Sequence, residues 1–417
     1  MYLLEAFLGD KFNRLNSLID QEYYVYNNSF NFIGSANYPF KAVLQALSHP
    51  ITLNPAEGFP GKRYFPNCDN LDNLENYGES LFRELFDLPQ DMDISLQPHS
   101  GTQANQIIYN AILNKNDTVL IFNMSCGGHV SHNFFVNKYY NVIEYGIDNN
   151  ERLNYSEIEE LINQHSPKLV IAGASSYPRE IDYVRISSYC KNNGSLFLAD
   201  ISHTALYHAC GVHQSPVKHA DFITFTTHKT TRGPRSGVIF FKKDYRAKIR
   251  RSIFPITQSA PKFNEILAKI AMCIELLEMD ISGYSKRIIQ FAKYFSDKML
   301  EKGIETYTSG TDSHLVILKL NNLKMNGIEA ERKLESINIF ANRNFIPGDK
   351  LSAKVTSGLR FGFLTLATLD VSFSDFKSLT DIIYDQLVKE KGQEKRLLKV
   401  KEIAAKYSAI NIASEEM

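Results

Sequence analysis

The chain has 417 residues, of which 44% are hydrophobic, and its 46 basic and 46 acidic side chains give a formal net charge of zero. This composition predicts a globular protein with a sizeable core, and the charge balance argues against a nucleic-acid or anionic-membrane partner. The first ten residues make a poor signal peptide, no apolar run reaches transmembrane length, and the five cysteines lack metal or disulfide spacing. We therefore expect a cytoplasmic enzyme without a metal site.

An amphipathic arm and an irregular loop stand out in the N-terminal part. Residues 1–31 carry apolar side chains at roughly helical spacing, which predicts a packing arm. Residues 54–68 form a loop rich in glycine and proline that also contains Glu57 and Tyr64. Charged and aromatic side chains in so irregular a segment favour a functional loop.

A turn with hydroxyl groups opens the helix predicted near residues 102–113. Ser100, Gly101 and Thr102 precede apolar residues at helical spacing. Free backbone N–H groups and hydroxyls at a helix start can hold a phosphate group, although an ordinary helix cap has the same pattern.

Two later strands end in residues that could take part in catalysis or cofactor binding. Segment 194–203 contains a short apolar strand that ends in Asp200, and strand 222–227 is followed by His228 and Lys229. A desolvated lysine can form an imine with an aldehyde, and an acid can hold the protonated ring nitrogen of pyridoxal phosphate. Taken singly, the acid reads as a turn residue and the lysine as a surface residue. A phosphate cradle, an acid and a lysine follow one another along the chain, and this order predicts a pyridoxal phosphate site.

Alternating strands and helices predict a mainly parallel sheet with its site at the C-terminal ends of the strands. Ser175 and His203 fall at such ends. Strand 358–362 contains Arg360, whose guanidinium can form a bidentate pair with a carboxylate. Residues 389–404 are rich in lysine and glutamate and predict a solvated helix or a frayed tail.

Several of these segments together closely resemble the serine hydroxymethyltransferase family, from about Phe32 to about Gly362. The matching motifs are residues 56–64, 99–105, 127–129, 200–203, 226–230, 233–235 and 356–360. The resemblance implies an α/β protein of pyridoxal-phosphate fold type I, with a mainly parallel seven-stranded sheet in a large domain and a smaller C-terminal α/β domain. We expect an N-terminal arm (1–31), a large cofactor-binding domain (32–280) and a small domain (281–417).

The resemblance also implies how the cofactor is held. Pyridoxal 5′-phosphate would form a Schiff base with Lys229, Asp200 would hold its ring nitrogen, and His129 would stack on its ring. His228 would take part both in catalysis and in phosphate binding. The other implied cofactor contacts are Ser100, Gly101, Thr102, Ser175, His203, Thr226 and Arg235.

The substrate residues are implied in the same way. Arg360 and Ser35 would orient the carboxylate of an amino acid; by itself, Ser35 reads as a turn or capping residue. Glu57 would be the acid/base group, with Tyr64 beside it, and both would serve the neighbouring protomer of a homodimer or larger homo-oligomer.

The chain departs from the family pattern at several places. Pro55 and Phe65 replace tyrosines, and Ala36 stands where the family usually has an acid. Ser259 and Ala260 replace a glycine pair that reaches the cofactor phosphate across the dimer, which narrows the available backbone conformations. Segment 363–372 also differs from the usual pattern.

Three functions therefore stay open. The favoured one is interconversion of serine and glycine with tetrahydrofolate as one-carbon acceptor. The second is a folate-independent aldolase or transaldolase that acts on β-hydroxy amino acids in specialised biosynthesis. The third is a non-catalytic relative that acts as a binding or regulatory subunit, against which the retention of Lys229, Asp200, Glu57 and Arg360 argues.

Overall fold

The computed structural model describes residues 10–352 and 354–407. Its helices are α1 (Asp10–Asn27), α2 (Lys41–Leu47), α3 (Asp69–Leu85), α4 (Gly101–Ile112), α5 (Val130–Tyr139), α6 (Tyr155–His165), α7 (Tyr183–Asn193), α8 (Ala205–Ala209), α9 (Arg246–Arg251), α10 (Phe263–Glu278), α11 (Ile281–Glu301), α12 (Gly327–Glu335), α13 (Leu364–Thr368), α14 (Phe373–Val388) and α15 (Gln393–Ala404). None of the described helices is both long and apolar enough to cross a membrane.

The strands are β1 (Phe30–Asn31), β2 (Gly58–Phe59), β3 (Lys62–Arg63), β4 (Met92–Ser95), β5 (Thr118–Phe122), β6 (Asn141–Tyr145), β7 (Leu169–Ala172), β8 (Leu196–Asp200), β9 (Phe222–Thr226), β10 (Gly237–Lys242), β11 (Leu315–Lys319), β12 (Ile339–Phe340), β13 (Asn342–Asn344) and β14 (Gly358–Gly362).

Seven strands form the central sheet in the order β4-β10-β9-β8-β7-β5-β6. Strands β9, β8, β7, β5 and β6 run parallel, whereas β10 is antiparallel to both of its neighbours. Parallel neighbours require crossover connections, which α5, α6, α7 and α8 supply. The α/β fold with its mainly parallel seven-stranded sheet is confirmed, and the C-terminal ends of β7, β8 and β9 lie side by side.

The two faces of this sheet are covered by different helices because successive strand residues point to opposite sides. In β8, Phe197 and Ala199 pack into the cluster that contains residues of α3, α6, α7 and α10. Leu198 packs into the opposite cluster, which contains Ile107 and Ile108 of α4. Burial on both faces explains why these strands are nearly continuous apolar runs.

A third apolar cluster is built from α11, α12, α14, α15 and the strands β11 and β14 of the antiparallel sheet β11-β14-β13. Phe30 and Phe32 join it from the N-terminal side, where β1 pairs with β12. The ring of Phe32 lies 5.8 Å from that of Phe361 and 5.7 Å from that of Phe363. We propose that this cluster is the core of the smaller domain expected for residues 281–417.

The two ends of the described chain behave differently. Helix α1 has no buried side chain and leaves Leu15 and Tyr24 exposed; residues 1–9 of the expected arm lie outside the described residues. The helix expected within residues 389–404 is present as α15, but it is docked rather than solvated. Val400 and Ile403 are buried, and Arg396 Nε donates a hydrogen bond of 2.6 Å to Gln386. A few apolar residues at helical spacing among the charges are enough to fix it.

Candidate active site

Lys229 lies in the turn between β9 and β10, at the C-terminal end of the central strands. Its side chain is 6% exposed. Asn37 donates a hydrogen bond of 2.8 Å to the carbonyl oxygen of Lys229, which fixes the backbone of the turn. Burial lowers the pKa of the amine to about 8; Asp200 opposes that shift, and the positive charges of Arg360 and Arg235 add to it. At neutral pH the unprotonated, nucleophilic fraction of this amine is therefore larger than that of an ordinary lysine.

Asp200 ends β8 and is buried. Its Oδ2 accepts a hydrogen bond of 2.9 Å from Asn105 and lies 3.0 Å from His132 Nε2, and its Oδ1 accepts one of 3.0 Å from the backbone N–H of Ser202. Burial alone would raise the pKa of this carboxyl, but the interactions with His132 and the hydrogen bond from Ser202 hold it well below its usual range. Asp200 is therefore a buried, ionised carboxylate.

His129 and His132 lie beside that carboxylate at the start of α5. His129 Nδ1 lies 2.7 Å from Ser131 Oγ, and His132 Nδ1 lies 2.6 Å from the hydroxyl of Tyr109. Burial, with the nearby His132, lowers the pKa of His129 to about 4, so this ring is neutral at physiological pH. A neutral, fixed imidazole is suited to stacking on an aromatic ligand.

The start of α4 is the place where the sequence predicts a phosphate cradle. Ser100 caps the helix by accepting a hydrogen bond from the backbone N–H of Gln103. A Cβ on Gly101 would lie 2.5 Å from Thr226 Cγ2, so only glycine lets these two segments approach so closely. Within residues 10–352 and 354–407, the buried Nδ1 of His228 has no hydrogen-bond partner.

The other residues expected around this cradle have different surroundings. The Thr226 hydroxyl donates a hydrogen bond of 3.5 Å to the carbonyl oxygen of Ser202. Arg235 is exposed, yet its charge acts on both His228 and Lys229. Burial lowers the pKa of His228 to about 3, so this ring offers a neutral donor or acceptor.

Arg360, in β14, is a partly buried cation. Its guanidinium donates hydrogen bonds to Ser175 O at 2.7 Å and Asn342 Oδ1 at 3.2 Å. No carboxylate forms an ion pair with it in the part of the chain that the structure describes, and burial lowers its pKa to about 10. A Cβ on Gly34 would lie 3.2 Å from Arg360 Nε, which puts the turn containing Ser35 directly against it. A partly buried cation without an acidic partner is a ready receptor for a carboxylate ligand.

Ser175 and His203 complete the group. Ser175 Oγ donates a hydrogen bond of 3.2 Å to the carbonyl oxygen of Gly128, beside His129. His203 is buried and lies close enough to Lys229 and Arg360 for their charges to lower its pKa further, beyond the effect of burial.

Glu57 and Tyr64 have their side-chain partners outside this group. Glu57 is half-buried, and the hydroxyl of Ser259 donates a short hydrogen bond to its carboxylate. Tyr64 is 73% exposed, with its ring 5.1 Å from the ring of Phe254. No hydrogen bond or ion pair joins either residue to Lys229 in the described ranges.

Three residues of the site were missed by sequence reasoning: Asn105, His132 and His314. Asn105 follows Gly101 by one helical turn on α4, and His132 follows His129 by three residues on α5, so helical spacing was an available signal for both. His314 precedes β11, far from the other residues in sequence, and carried no local signal.

These residues fit pyridoxal phosphate. The buried anionic Asp200 suits a protonated ring nitrogen, and the buried His228 Nδ1, which has no partner in the described residues, suits a phosphate. Lys229 supplies an amine for an aldehyde, and Arg360 supplies a partner for an amino-acid carboxylate. Residues 8–383 match the family model described as serine hydroxymethyltransferase.

Proposed function

The chain belongs to the serine hydroxymethyltransferase family of pyridoxal-phosphate-dependent transferases, and from this we propose that it interconverts serine and glycine with tetrahydrofolate as the one-carbon acceptor. The observation that carries the proposal is the partly buried Arg360, which has no acidic partner in the described part of the chain and acts electrostatically on Lys229. A free cation beside a reactive amine suits a substrate that brings both an amino and a carboxylate group.

We assign the cofactor to the residues around Lys229. Asp200 would face the ring nitrogen, His129 the ring, and Lys229 the aldehyde carbon. The phosphate would be held by Ser100, Gly101, Thr102 and His228, and the remaining contacts would come from Ser175, His203, Thr226 and Arg235. When bound, pyridoxal phosphate supplies an electron sink for bonds at the amino-acid Cα.

Arg360 and Ser35 would select which bond breaks. Arg360 has a fixed orientation because Ser175 O and Asn342 Oδ1 already accept two of its N–H groups. A carboxylate held by its remaining donors has little rotational freedom, so the orientation of Cα is set as well.

Glu57 is proposed as the group that moves a proton to or from the substrate hydroxyl. Its loop is held by Arg63, which donates hydrogen bonds to the carbonyl oxygens of Ala56 and Gly58 and forms ion pairs with α3. Because neither Glu57 nor Tyr64 forms a hydrogen bond or ion pair with Lys229 within the described chain, we propose that they serve the site of a second copy in a homodimer or larger homo-oligomer. The unburied helix α1 supports such an assembly, in which its apolar side chains would be covered.

A cytoplasmic location is proposed on the chemistry of the thiols. All five cysteines are free, which suits a reducing compartment.

A folate-independent aldolase or transaldolase is the second candidate. The hydroxyl of Ser259, at a position where the family has glycine, engages the carboxylate of Glu57. Chemistry at the proposed acid/base group can therefore differ from that of the family, and Pro55, Phe65, Ala36 and segment 363–372 support the same alternative.

The visible spectrum of the purified protein with glycine separates the two candidates. For the proposed function, we expect a long-wavelength absorbance band that grows strongly on addition of tetrahydrofolate. A spectrum that responds to glycine but not to tetrahydrofolate would remove the folate-dependent reaction. Cleavage of β-hydroxy amino acids without folate would then support the aldolase.

Replacing Arg360 with alanine is expected to raise the KM for serine by at least about 30-fold, since removing one partner of a buried charge pair costs about 2–5 kcal/mol. Cofactor absorbance should be retained because Arg360 is assigned to the substrate. The matched control is Arg343→Ala, which removes an exposed arginine from the adjacent strand β13. Steady-state kinetics with an unchanged KM in Arg360→Ala would exclude Arg360 as the carboxylate receptor.

A further inference from the structure

His203 and His314 form a stacked pair of buried imidazoles beside Lys229. Their ring centroids lie 5.3 Å apart at an interplanar angle of 9°, and His203 Nδ1 lies 3.2 Å from His314 Nε2. His314 Nε2 also lies 3.1 Å from the carbonyl oxygen of Gly34, and its Nδ1 lies 3.4 Å from the hydroxyl of Tyr207. His314 thus joins the candidate cofactor site to the backbone just before Ser35.

The carbonyl oxygen of Gly34 determines where the protons of this pair lie. A carbonyl oxygen only accepts hydrogen bonds, so its approach to His314 Nε2 requires a proton on that nitrogen. His314 Nδ1 is then an acceptor for the hydroxyl of Tyr207. The Nε2–H of His314 also faces His203 Nδ1. If His203 Nδ1 carried a proton as well, the two N–H groups would point at each other without an acceptor between them. In a neutral His203, the single proton is therefore on Nε2.

Both rings are neutral at physiological pH. Burial lowers the pKa of His314 to about 3, with the charges of Lys229 and Arg360 adding to the effect. Burial also lowers the pKa of His203 well below its ordinary value, and the charges of Lys229, His314 and Arg360 again add to this.

We propose that His314 is a positioning residue that fixes His203 in the Nε2–H tautomer and so maintains a hydrogen-bond donor on the ring edge remote from His314. In the loaded protein this donor serves an oxygen acceptor on the cofactor, and that use rests on the proposed function. The same His314 N–H also reaches the carbonyl oxygen of Gly34. The tautomer of His203 therefore depends on the position of the turn that contains Ser35.

The tautomer can be read directly by long-range proton–nitrogen NMR of the full-length chain labelled with ¹⁵N-histidine. Spectra at neutral pH are recorded with and without added pyridoxal phosphate, and His203→Gln assigns the two signals of His203. In the unsubstituted chain we expect Nδ1 in the unprotonated class and Nε2 in the protonated class. His314→Leu should move both signals toward the averaged values of mixed tautomers, whereas His314→Gln, which keeps an N–H donor, should retain the original pattern.

A protonated Nδ1 on His203 in the unsubstituted chain would overturn the proposal, and so would unchanged His203 signals in His314→Leu. The first test needs no variant of His314, so a folding failure of His314→Leu does not decide the matter. Failure of the proposed function has a separate signature. It appears as an absorbance spectrum that lacks the cofactor or does not respond to tetrahydrofolate, whereas the tautomer is also measured without the cofactor.

Discussion

The Lys229→Ala variant is expected to lose the visible absorbance of lysine-attached pyridoxal phosphate and to lower serine turnover by at least about a thousandfold. Lys229 Nζ is the proposed point of attachment, and its burial lowers the pKa of the amine to about 8. Its backbone is held by Asn37 and by the N–H of Arg232, which donates to the Lys229 carbonyl at 3.3 Å. The turn should therefore keep its shape when the side chain is removed.

Absorbance spectra and serine-cleavage assays of purified protein measure this effect. The matched control is Lys243→Ala, which removes an exposed lysine just beyond β10 in the same hairpin. It should keep both colour and activity. A Lys229→Ala protein that remains coloured and active would show that another amine captures the cofactor. If neither Lys229→Ala nor Lys243→Ala binds the cofactor, a non-catalytic binding or regulatory subunit would be favoured.

The positions of Lys229 and Asp200 could be predicted because each follows an apolar strand. In a parallel sheet the C-terminal ends of neighbouring strands lie together, so two strand-end residues far apart in sequence become close in space. The parallel direction of these strands follows from the α/β alternation. The start of α4 was predictable for a similar reason, since Ser100 has the chemistry of a helix cap.

The hydrogen-bond partners of these residues could not be predicted in the same way. His314 reaches His203 only because the β11 segment folds back over the end of β8, and Ser259 reaches Glu57 from 202 residues along the chain. Such contacts depend on tertiary packing, which local periodicity does not encode. The docking of α15 was missed because lysines and glutamates conceal its few core residues.

The Glu57→Gln variant is expected to lower serine turnover by about 100- to 10,000-fold while it retains cofactor absorbance. Glutamine keeps the size of the side chain and an oxygen that can accept from Ser259, but it cannot exchange a proton. The surrounding loop should be unchanged, because Arg63 holds it through Ala56 and Gly58. The control is Glu278→Gln at the exposed end of α10. Undiminished turnover in Glu57→Gln would remove Glu57 from the mechanism.

The same two variants together test whether Glu57 acts across a subunit interface. In a mixed dimer of Lys229→Ala and Glu57→Gln chains, one site would combine the intact Lys229 of one copy with the intact Glu57 of the other. If Glu57 serves the neighbouring site, differently tagged chains that are co-purified should recover about half of the normal turnover per dimer, since one of two equivalent sites is restored. If Glu57 serves its own chain, neither site holds both residues, and the mixed dimer should be as inactive as its parents.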